Sequence, residues 1–271
     1  MVLCLDIGNS QIYGGVFADD KLMFQFRRTS RQNTSSDEIG VFLRTVLREN
    51  DLNPDDITSI SVCTVVPEII HSLKNACRKY FDGVVPFILQ AGVKTGLNIK
   101  YRNPLELGAD RIANAVAATH LFPQKNLIII DMGTATTICA VNTKKEFLGG
   151  AIIPGIRISM LALEQNTSKL PSVEIITADH ATARSTIEGI QSGLYYGTFG
   201  AIKEIATRMR KESFNDQECV VIGTGGFSSL YENTELFDEE IHDLVLKGLY
   251  LTFKMNQTTK GARNANPNVE M

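Results

Sequence analysis

The chain repeats itself, and that repetition narrows its possible folds more than any other feature. Val2-Leu3-Cys4-Leu5 is a short apolar run that ends in Asp6 and passes through Gly8-Asn9-Ser10 into a β-prone stretch reaching Phe17. A polar turn at Asp19-Asp20 and a third strand over residues 22–26 follow. Residues 127–130 form a second apolar run ending in Asp131, 125 residues beyond Asp6, and lead into Gly133-Thr134-Ala135-Thr136-Thr137. A β-prone stretch to Val141, a turn over residues 143–146 and a strand entering Gly149-Gly150-Ala151-Ile152-Ile153 complete the second unit. Each unit reads strand, Asp-x-Gly, strand, polar turn, strand, an order too specific for coincidental turns.

The segments after each meander also correspond. The first is followed by an amphipathic helix over residues 37–50, a strand over 57–63, a helix after Pro67 and a strand over 85–89. The second is followed by helices around 158–164 and 182–211, a strand over 219–222 and a last helix over 238–254. Apolar spacing of three and four marks the helices, and β-branched runs mark the strands. The pattern predicts a duplicated α/β protein with a first domain over residues 1–117 and a second over 118–256. A flexible tail over 257–271 follows from its polar composition. No low-complexity linker separates the halves, so they are expected to pack with a cleft between them.

Composition removes several classes of partner. The 27 Lys and Arg are balanced by 30 Asp and Glu, and no basic run exceeds Arg27-Arg28 or Lys144-Lys145, which disfavours nucleic acid. The five cysteines lie apart with no Cys-x-x-Cys pair, and the four histidines form no ligand cluster, so neither a disulfide framework nor a zinc site is indicated. Apolar stretches of five to seven residues fall far short of a bilayer span. The expectation is a soluble cytoplasmic protein without a membrane partner.

A carboxylate at a strand end followed by a glycine-bearing hairpin has a definite chemical use. Gly8 and Gly133 let backbone N–H groups approach an anion, Asn9, Ser10, Thr134, Thr136 and Thr137 add short donors, and Asp6 or Asp131 can hold a cation beside it. A single Asp-x-Gly is more often an ordinary turn; two in matching positions favour phosphate on the hairpins and metal ions on the carboxylates. A third cluster, Gly223-Thr224-Gly225-Gly226, could let a flat ring lie on bare backbone, or could be a tight strand-to-helix turn. It is not a dinucleotide fingerprint, because Ser228 stands at the third glycine position, and no P-loop is present.

Gly108-Ala109-Asp110-Arg111 opens a helix whose apolar face runs through Ile112, Ala115, Val116 and Thr119. Asp110 falls in the first turn, where the helix field favours an anion, and Arg111 offers a planar donor for a carboxylate or phosphate. The plainer alternative is a helix-start Asp beside a solvated Arg.

Together, Asp6-Ile7-Gly8-Asn9-Ser10, Gly108-Ala109-Asp110-Arg111, Asp131-Met132-Gly133-Thr134-Ala135-Thr136-Thr137 and Gly149-Gly150-Ala151-Ile152-Ile153-Pro154-Gly155 resemble the motifs of the type III pantothenate kinases. The resemblance runs from Met1 to about Tyr250. It implies the duplicated actin-like (ribonuclease H-like) fold of the actin, Hsp70 and sugar-kinase superfamily. It also implies ATP-dependent phosphorylation of pantothenate to 4'-phosphopantothenate, the first step of coenzyme A biosynthesis. Ser10 stands where the family more commonly has Thr and keeps the hydroxyl donor.

The resemblance also implies residue roles. Asp6, Ile7, Gly8, Asn9, Ser10, Gln11, Ile12 and Tyr13 would form the first phosphate hairpin, with Asp6 directed toward Mg²⁺ and its waters. Thr134 would contact ATP phosphate, and Asp131 would hold a monovalent cation, K⁺ or ammonium. Gly108, Ala109, Asp110 and Arg111 would bind pantothenate, with Asp110 as the general base for its primary hydroxyl. Tyr101 and Thr186 would make further substrate contacts; their plainer readings are a partly buried loop aromatic and a helix N-terminal hydroxyl.

Gly189, Gly193 and Gly197 recur every four residues within a helical stretch. Each costs a helix about 1 kcal/mol relative to Ala, so a compensating close approach is expected. Packing within the chain is the favoured explanation and a homodimer seam the alternative; the family resemblance implies a dimer whose substrate pocket draws on both subunits. Other functions kept open are a different small-molecule kinase or phosphatase of the superfamily, and a non-catalytic nucleotide-binding accessory of transcription.

Overall fold

Each repeat folds into a sheet with the same strand order. The computed structural model describes residues 1–30, 34–90 and 92–264, with side chains to residue 257. The first half builds β1 (Val2–Ile7), β2 (Gln11–Ala18), β3 (Lys21–Thr29), α1 (Ser36–Arg48), β4 (Ser59–Thr64), α2 (Ile69–Tyr80) and β5 (Phe87–Ile88). After β6 (Asn98–Ile99) and α3 (Ala109–Leu121) come β7 (Asn126–Met132), β8 (Ala135–Val141), β9 (Glu146–Pro154), α4 (Ile156–Asn166) and α5 (Thr186–Phe214). The chain then forms β10 (Cys219–Thr224), β11 (Glu239–Glu240) and α6 (Leu244–Asn264).

The sheets run β3-β2-β1-β4-β5 and β11-β10-β7-β8-β9-β6. Without β6 the second order is the first read from its other end. In each, three antiparallel strands form the meander and the first of them pairs in parallel with the crossover strand, β4 or β10. Even the register shifts recur, between Val16 and Phe17 on β2 and between Ala140 and Val141 on β8. The tight turn after β2 places both Asp19 and Asp20 at positive φ, the twist that a two-residue hairpin needs.

Contacts divide the chain into two compact units. One comprises Met1–Gly96, Leu105–Ala117 and the chain from Val245 onward; the other comprises Leu97–Pro104 and Ala118–Leu244. The last helix therefore belongs with the first repeat, and not with the second as its position in the sequence suggests. Residues 97–104 go the other way, because β6 pairs with β9 and Lys100 Nζ lies 3.1 Å from Glu146 Oε1.

In the first unit, Leu3, Leu5, Ile7, Ile60 and Val62 share one core with Ile39, Leu43 and Leu47 of α1 and Leu73, Ala76 and Cys77 of α2. Helix α1 is opened by a reciprocal cap: Glu38 N–H donates to Ser35 Oγ, and Ser35 N–H donates to Glu38 Oε2. A Cβ on Gly40 would lie 2.1 Å from the Tyr80 ring, so α1 and α2 meet only because that position is bare. Helix α6 packs against the sheet through other residues: Ser61 Oγ donates to the Leu249 carbonyl at 3.1 Å, and Gly15 leaves room for Leu246. It crosses α3 at Gly248, where a Cβ would stand 1.8 Å from the Ala113 carbonyl oxygen. Since neither backbone can yield locally, Gly248→Ala is expected to lower the unfolding free energy by about 3 kcal/mol in urea denaturation.

In the second unit, Ile128, Ile130 and Met132 pack with Tyr195 and Ile202 of α5 and with Tyr231. Leu127 and Ile129 are buried as well, which is why β7 reads as a continuous apolar run. A smaller cluster joins Ile156 and Met160 of α4 to Ile190 and Leu194 of α5. Helix α5 ends in the left-handed region at Asn215.

Several boundaries differ from the sequence-based expectation. Helix α5 begins at Thr186, where Ser185 accepts from Glu188 N–H, and not at residue 182. The last helix begins at Leu244, because Glu239–Glu240 pairs with β10 as an edge strand. It continues to Asn264, so the tail expected from residue 257 starts as helix; residues 265–271 lie outside the described residues. Among the described residues no helix is long and apolar enough to cross a membrane.

Candidate active site

In the first unit the site grows from the face of β1 that does not carry Leu3, Leu5 and Ile7. Asp6, half-buried at the strand end, lies in register with Tyr13 on β2 and Cys63 on β4. Cys63 Sγ–H donates to Asp6 Oδ1 at 3.1 Å. The hairpin that follows is closed by Gly8 N–H to the Gln11 carbonyl at 2.9 Å, and Ser30 N–H donates to the Ser10 carbonyl at 2.9 Å. Asn9, Ser10 and Gln11 are exposed. Ile7, Ile12 and Tyr13 bury their side chains, so at those three positions only the backbone could meet a ligand. The Tyr13 ring lies under the Arg27 guanidinium, 3.8 Å from its centroid.

Gly108 immediately precedes α3, and Asp110 folds back over the helix start to accept from Arg111 N–H at 2.8 Å. A Cβ on Gly108 would come within 2.4 Å of that carboxylate oxygen, which gives the glycine a steric purpose. Gly108, Ala109 and Asp110 are half-buried, and Arg111 is only 6% exposed, so it is not the solvated Arg of the plainer reading. Asp6 and Asp110 both act on the Cys63 thiol. Burial first, then Asp6 and Asp110, push its pKa well above the ordinary value and keep it protonated.

The second unit assembles three glycine-bearing segments around Asp131. Asp131 faces Thr137 on β8 and Thr224 on β10. The hairpin after it is closed by Gly133 N–H to the Ala135 carbonyl at 3.1 Å. A Cβ on Gly155 would lie 2.3 Å from the Thr134 carbonyl oxygen and 2.5 Å from that of Gly133, so the start of α4 abuts the hairpin backbone. Gly225, at φ +94°, would place a Cβ 2.6 Å from Asp131 Oδ1. Thr134 is exposed, whereas Thr136 is fully buried. Sequence reasoning noticed Gly155 only as part of a motif and Gly225 only as part of a cluster. A glycine at each strand-to-helix junction was the available signal, but its target became visible only in three dimensions.

Tyr101 is half-buried and meets Phe147 edge-on at 5.9 Å. Thr186 is exposed at the first position of α5, where it lines an apolar groove of about 630 Å³ with Ile158, Leu163, Gly189 and Leu194. The favoured explanation of the α5 glycines is overturned. A Cβ at Gly193 or Gly197 would meet nothing within 4 Å, and one at Gly189 would meet only Ala183 at 4.0 Å. The helix buries Ile190, Leu194, Tyr195 and Ile202 instead, turning the glycine stripe away from the core of its own unit.

Two solved structures share this architecture across almost the whole chain. A Campylobacter jejuni protein assigned to the Baf family of transcriptional activators superposes with a TM-score of 0.59 at 20% identity, covering 94% of this chain and 99% of that one. A Sinorhizobium meliloti protein assigned as a 2-dehydro-3-deoxygalactonokinase superposes with a TM-score of 0.56 at 11% identity, with the same coverage. At such identities they establish the fold alone, a duplicated actin-like α/β architecture. The family model of type III pantothenate kinase matches residues 2–208, and a type III pantothenate kinase of Legionella pneumophila (strain Paris) is 57% identical over 256 residues, 94% of this chain and 99% of the relative. The chain belongs to the type III pantothenate kinase family. Its activity is the ATP-dependent phosphorylation of pantothenate in coenzyme A biosynthesis.

Proposed function

We propose that Asp110 serves the acceptor hydroxyl and Asp6 the divalent cation, while Thr134 serves the nucleotide phosphate and Asp131 a monovalent cation. The observation that carries this reading is the pair of placed carboxylates: Asp6 at the end of β1, bonded by Cys63 Sγ–H at 3.1 Å, and Asp110 in the first turn of α3, accepting from Arg111 N–H at 2.8 Å. Asp110 accepts the proton from the primary hydroxyl of pantothenate as that oxygen attacks the γ-phosphorus and ADP departs. Gly108, Ala109 and Arg111 shape the acceptor position, and Tyr101 and Thr186 make the further pantothenate contacts. The transition state is loose, so fixed donors and the position of the hydroxyl supply most of the acceleration.

The hairpin from Asp6 to Tyr13 and the exposed Thr134 present donors to phosphate oxygens, and the exposed backbone at Gly226, where a Cβ would meet nothing within 4 Å, leaves room for adenosine. No three His, Cys, Asp or Glu side chains gather as a metal cage among the described residues. One half-buried carboxylate suits Mg²⁺, which keeps several waters and takes its remaining ligands from substrate phosphates. Asp6 would hold Mg²⁺ through its waters, and the ion would supply neutralisation of phosphate charge. Asp131, in register with Thr137 and Thr224, offers a carboxylate oxygen of the kind K⁺ or ammonium takes.

The α5 glycine stripe and the apolar groove beside Thr186 support a homodimer in which a second copy covers that face. A cytoplasmic location suits a chain whose five cysteines are all free thiols.

A coupled assay with ATP, Mg²⁺ and a panel of small hydroxy acids and sugars tests the assignment. Pantothenate is expected to be the preferred acceptor, with the rate falling sharply when K⁺ or ammonium is replaced by Na⁺, because a partly buried carboxylate without its cation carries a desolvation cost. Equal rates in all three salts would remove Asp131 from the cation site.

A further inference from the structure

Cys63 has no task in the reaction described above, yet it lies against the carboxylate that orients the hydrated cation. Strands β1 and β4 are parallel neighbours in register at Asp6 and Cys63, so both side chains emerge on the same face. The thiol is completely buried. Its position is secured from beyond the strand end, where Val65 N–H donates to the Ile7 carbonyl at 3.2 Å and Val66 N–H donates to Thr64 Oγ1 at 3.0 Å. Thr64 Oγ1 itself lies 3.1 Å from the Ile7 carbonyl oxygen. With β4 paired to β1 along the strand and fastened just past Cys63, Sγ lies beside Asp6 Oδ1 at 3.1 Å.

The second repeat supplies an independent parallel. There the crossover strand β10 sets Thr224 beside Asp131 in the same parallel register, and Thr224 is buried too. Each half thus puts a short protic side chain next to its strand-end carboxylate, although the residue types differ. A packing role alone would be served as well by Ala or Val, which offer the carboxylate no donor.

We infer that Cys63 is a positioning residue: its Sγ–H, donated to Asp6 Oδ1, selects the carboxylate orientation that receives the hydrated divalent cation of MgATP. This rests on the reading of Asp6 given above. A thiol is a weak donor, so it fixes orientation without competing strongly for the charge that the cation needs. Inaccessibility of the sulfur sets this role apart from oxidative regulation, which requires an exposed thiolate.

The test titrates Mg²⁺ at fixed ATP and pantothenate, and measures Mg²⁺-dependent ATP binding by calorimetry without pantothenate, on the full chain and on the variants Cys63→Ala, Cys63→Ser and Asp6→Asn, with a melting curve for each. Cys63→Ala is expected to raise the Mg²⁺ concentration for half-maximal rate about tenfold, the lower end of what loss of an orienting partner costs. Cys63→Ser keeps a donor and is expected to return most of that shift, while Asp6→Asn is expected to be nearly inactive. If Cys63→Ala does not fold, Cys63→Val, which fills the space without donating, replaces it. An unchanged Mg²⁺ requirement in the donor-free variant, or an equal shift in Ala and Ser, overturns the role of Cys63 while an inactive Asp6→Asn leaves the reading of Asp6 intact. A fully active Asp6→Asn overturns that reading, and the inference with it.

Discussion

Asp110→Asn is expected to lower the turnover number by about 10²- to 10⁴-fold, the range for loss of a positioned general base. The prediction is discriminating because the substitution is structurally mild. Asn retains a side-chain oxygen that can accept from Arg111 N–H, as Asp110 Oδ1 does at 2.8 Å, and it is acceptable near a helix start. It adds no bulk against Gly108, where the carboxylate already fills the space a Cβ would need. The melting temperature and the affinity for ATP are therefore expected to stay close to those of the parent, and the whole effect to fall on turnover. Measuring all three on one variant decides the matter. Near-parental turnover would remove Asp110 from proton transfer and leave it as a helix-start residue that shapes the pocket.

Gly155→Ala is expected to reduce kcat/KM for ATP by about 10²-fold, the scale on which a displacement of about 1 Å in a positioning element acts. Its new Cβ would fall 2.3 Å from the Thr134 carbonyl oxygen and 2.5 Å from that of Gly133. Side-chain rotation cannot relieve such a contact, because both neighbours are backbone. Either the hairpin after β7 or the start of α4 must move, and Thr134 moves with the hairpin. Direct measurement of nucleotide binding by calorimetry, alongside circular dichroism to verify folding, separates this local effect from unfolding. A folded variant that binds ATP as tightly as the parent would show that the hairpin is not the phosphate site.

The two strand meanders, their Asp-x-Gly turns and the helix opened by Gly108-Ala109-Asp110-Arg111 were legible in the sequence. They depend on local rules: an apolar run alternates or continues, a polar pair turns, a carboxylate or glycine marks a helix start. Duplication reinforced them, because Asp6 and Asp131 read the same way 125 residues apart. Family motifs extended the reading to function, since they join residues whose neighbourhood no periodicity can show.

What the sequence by itself determined was the kind of element at each position and the residues that bear the chemistry. Tertiary structure decided which elements share a core. The last helix returns to the first repeat because Gly248 permits contact with the Ala113 carbonyl and Ser61 bonds the Leu249 carbonyl, contacts between residues more than a hundred positions apart. It also decided that the α5 glycines face away from their own core, because the opposite side of the helix carries the apolar residues that bind the sheet. Gly155 meets the Gly133-Thr134 backbone, Gly225 meets Asp131, and Cys63 meets Asp6, for the same reason. Pairing register and close backbone approach arise from the simultaneous packing of distant segments, and no local window of the chain contains both partners.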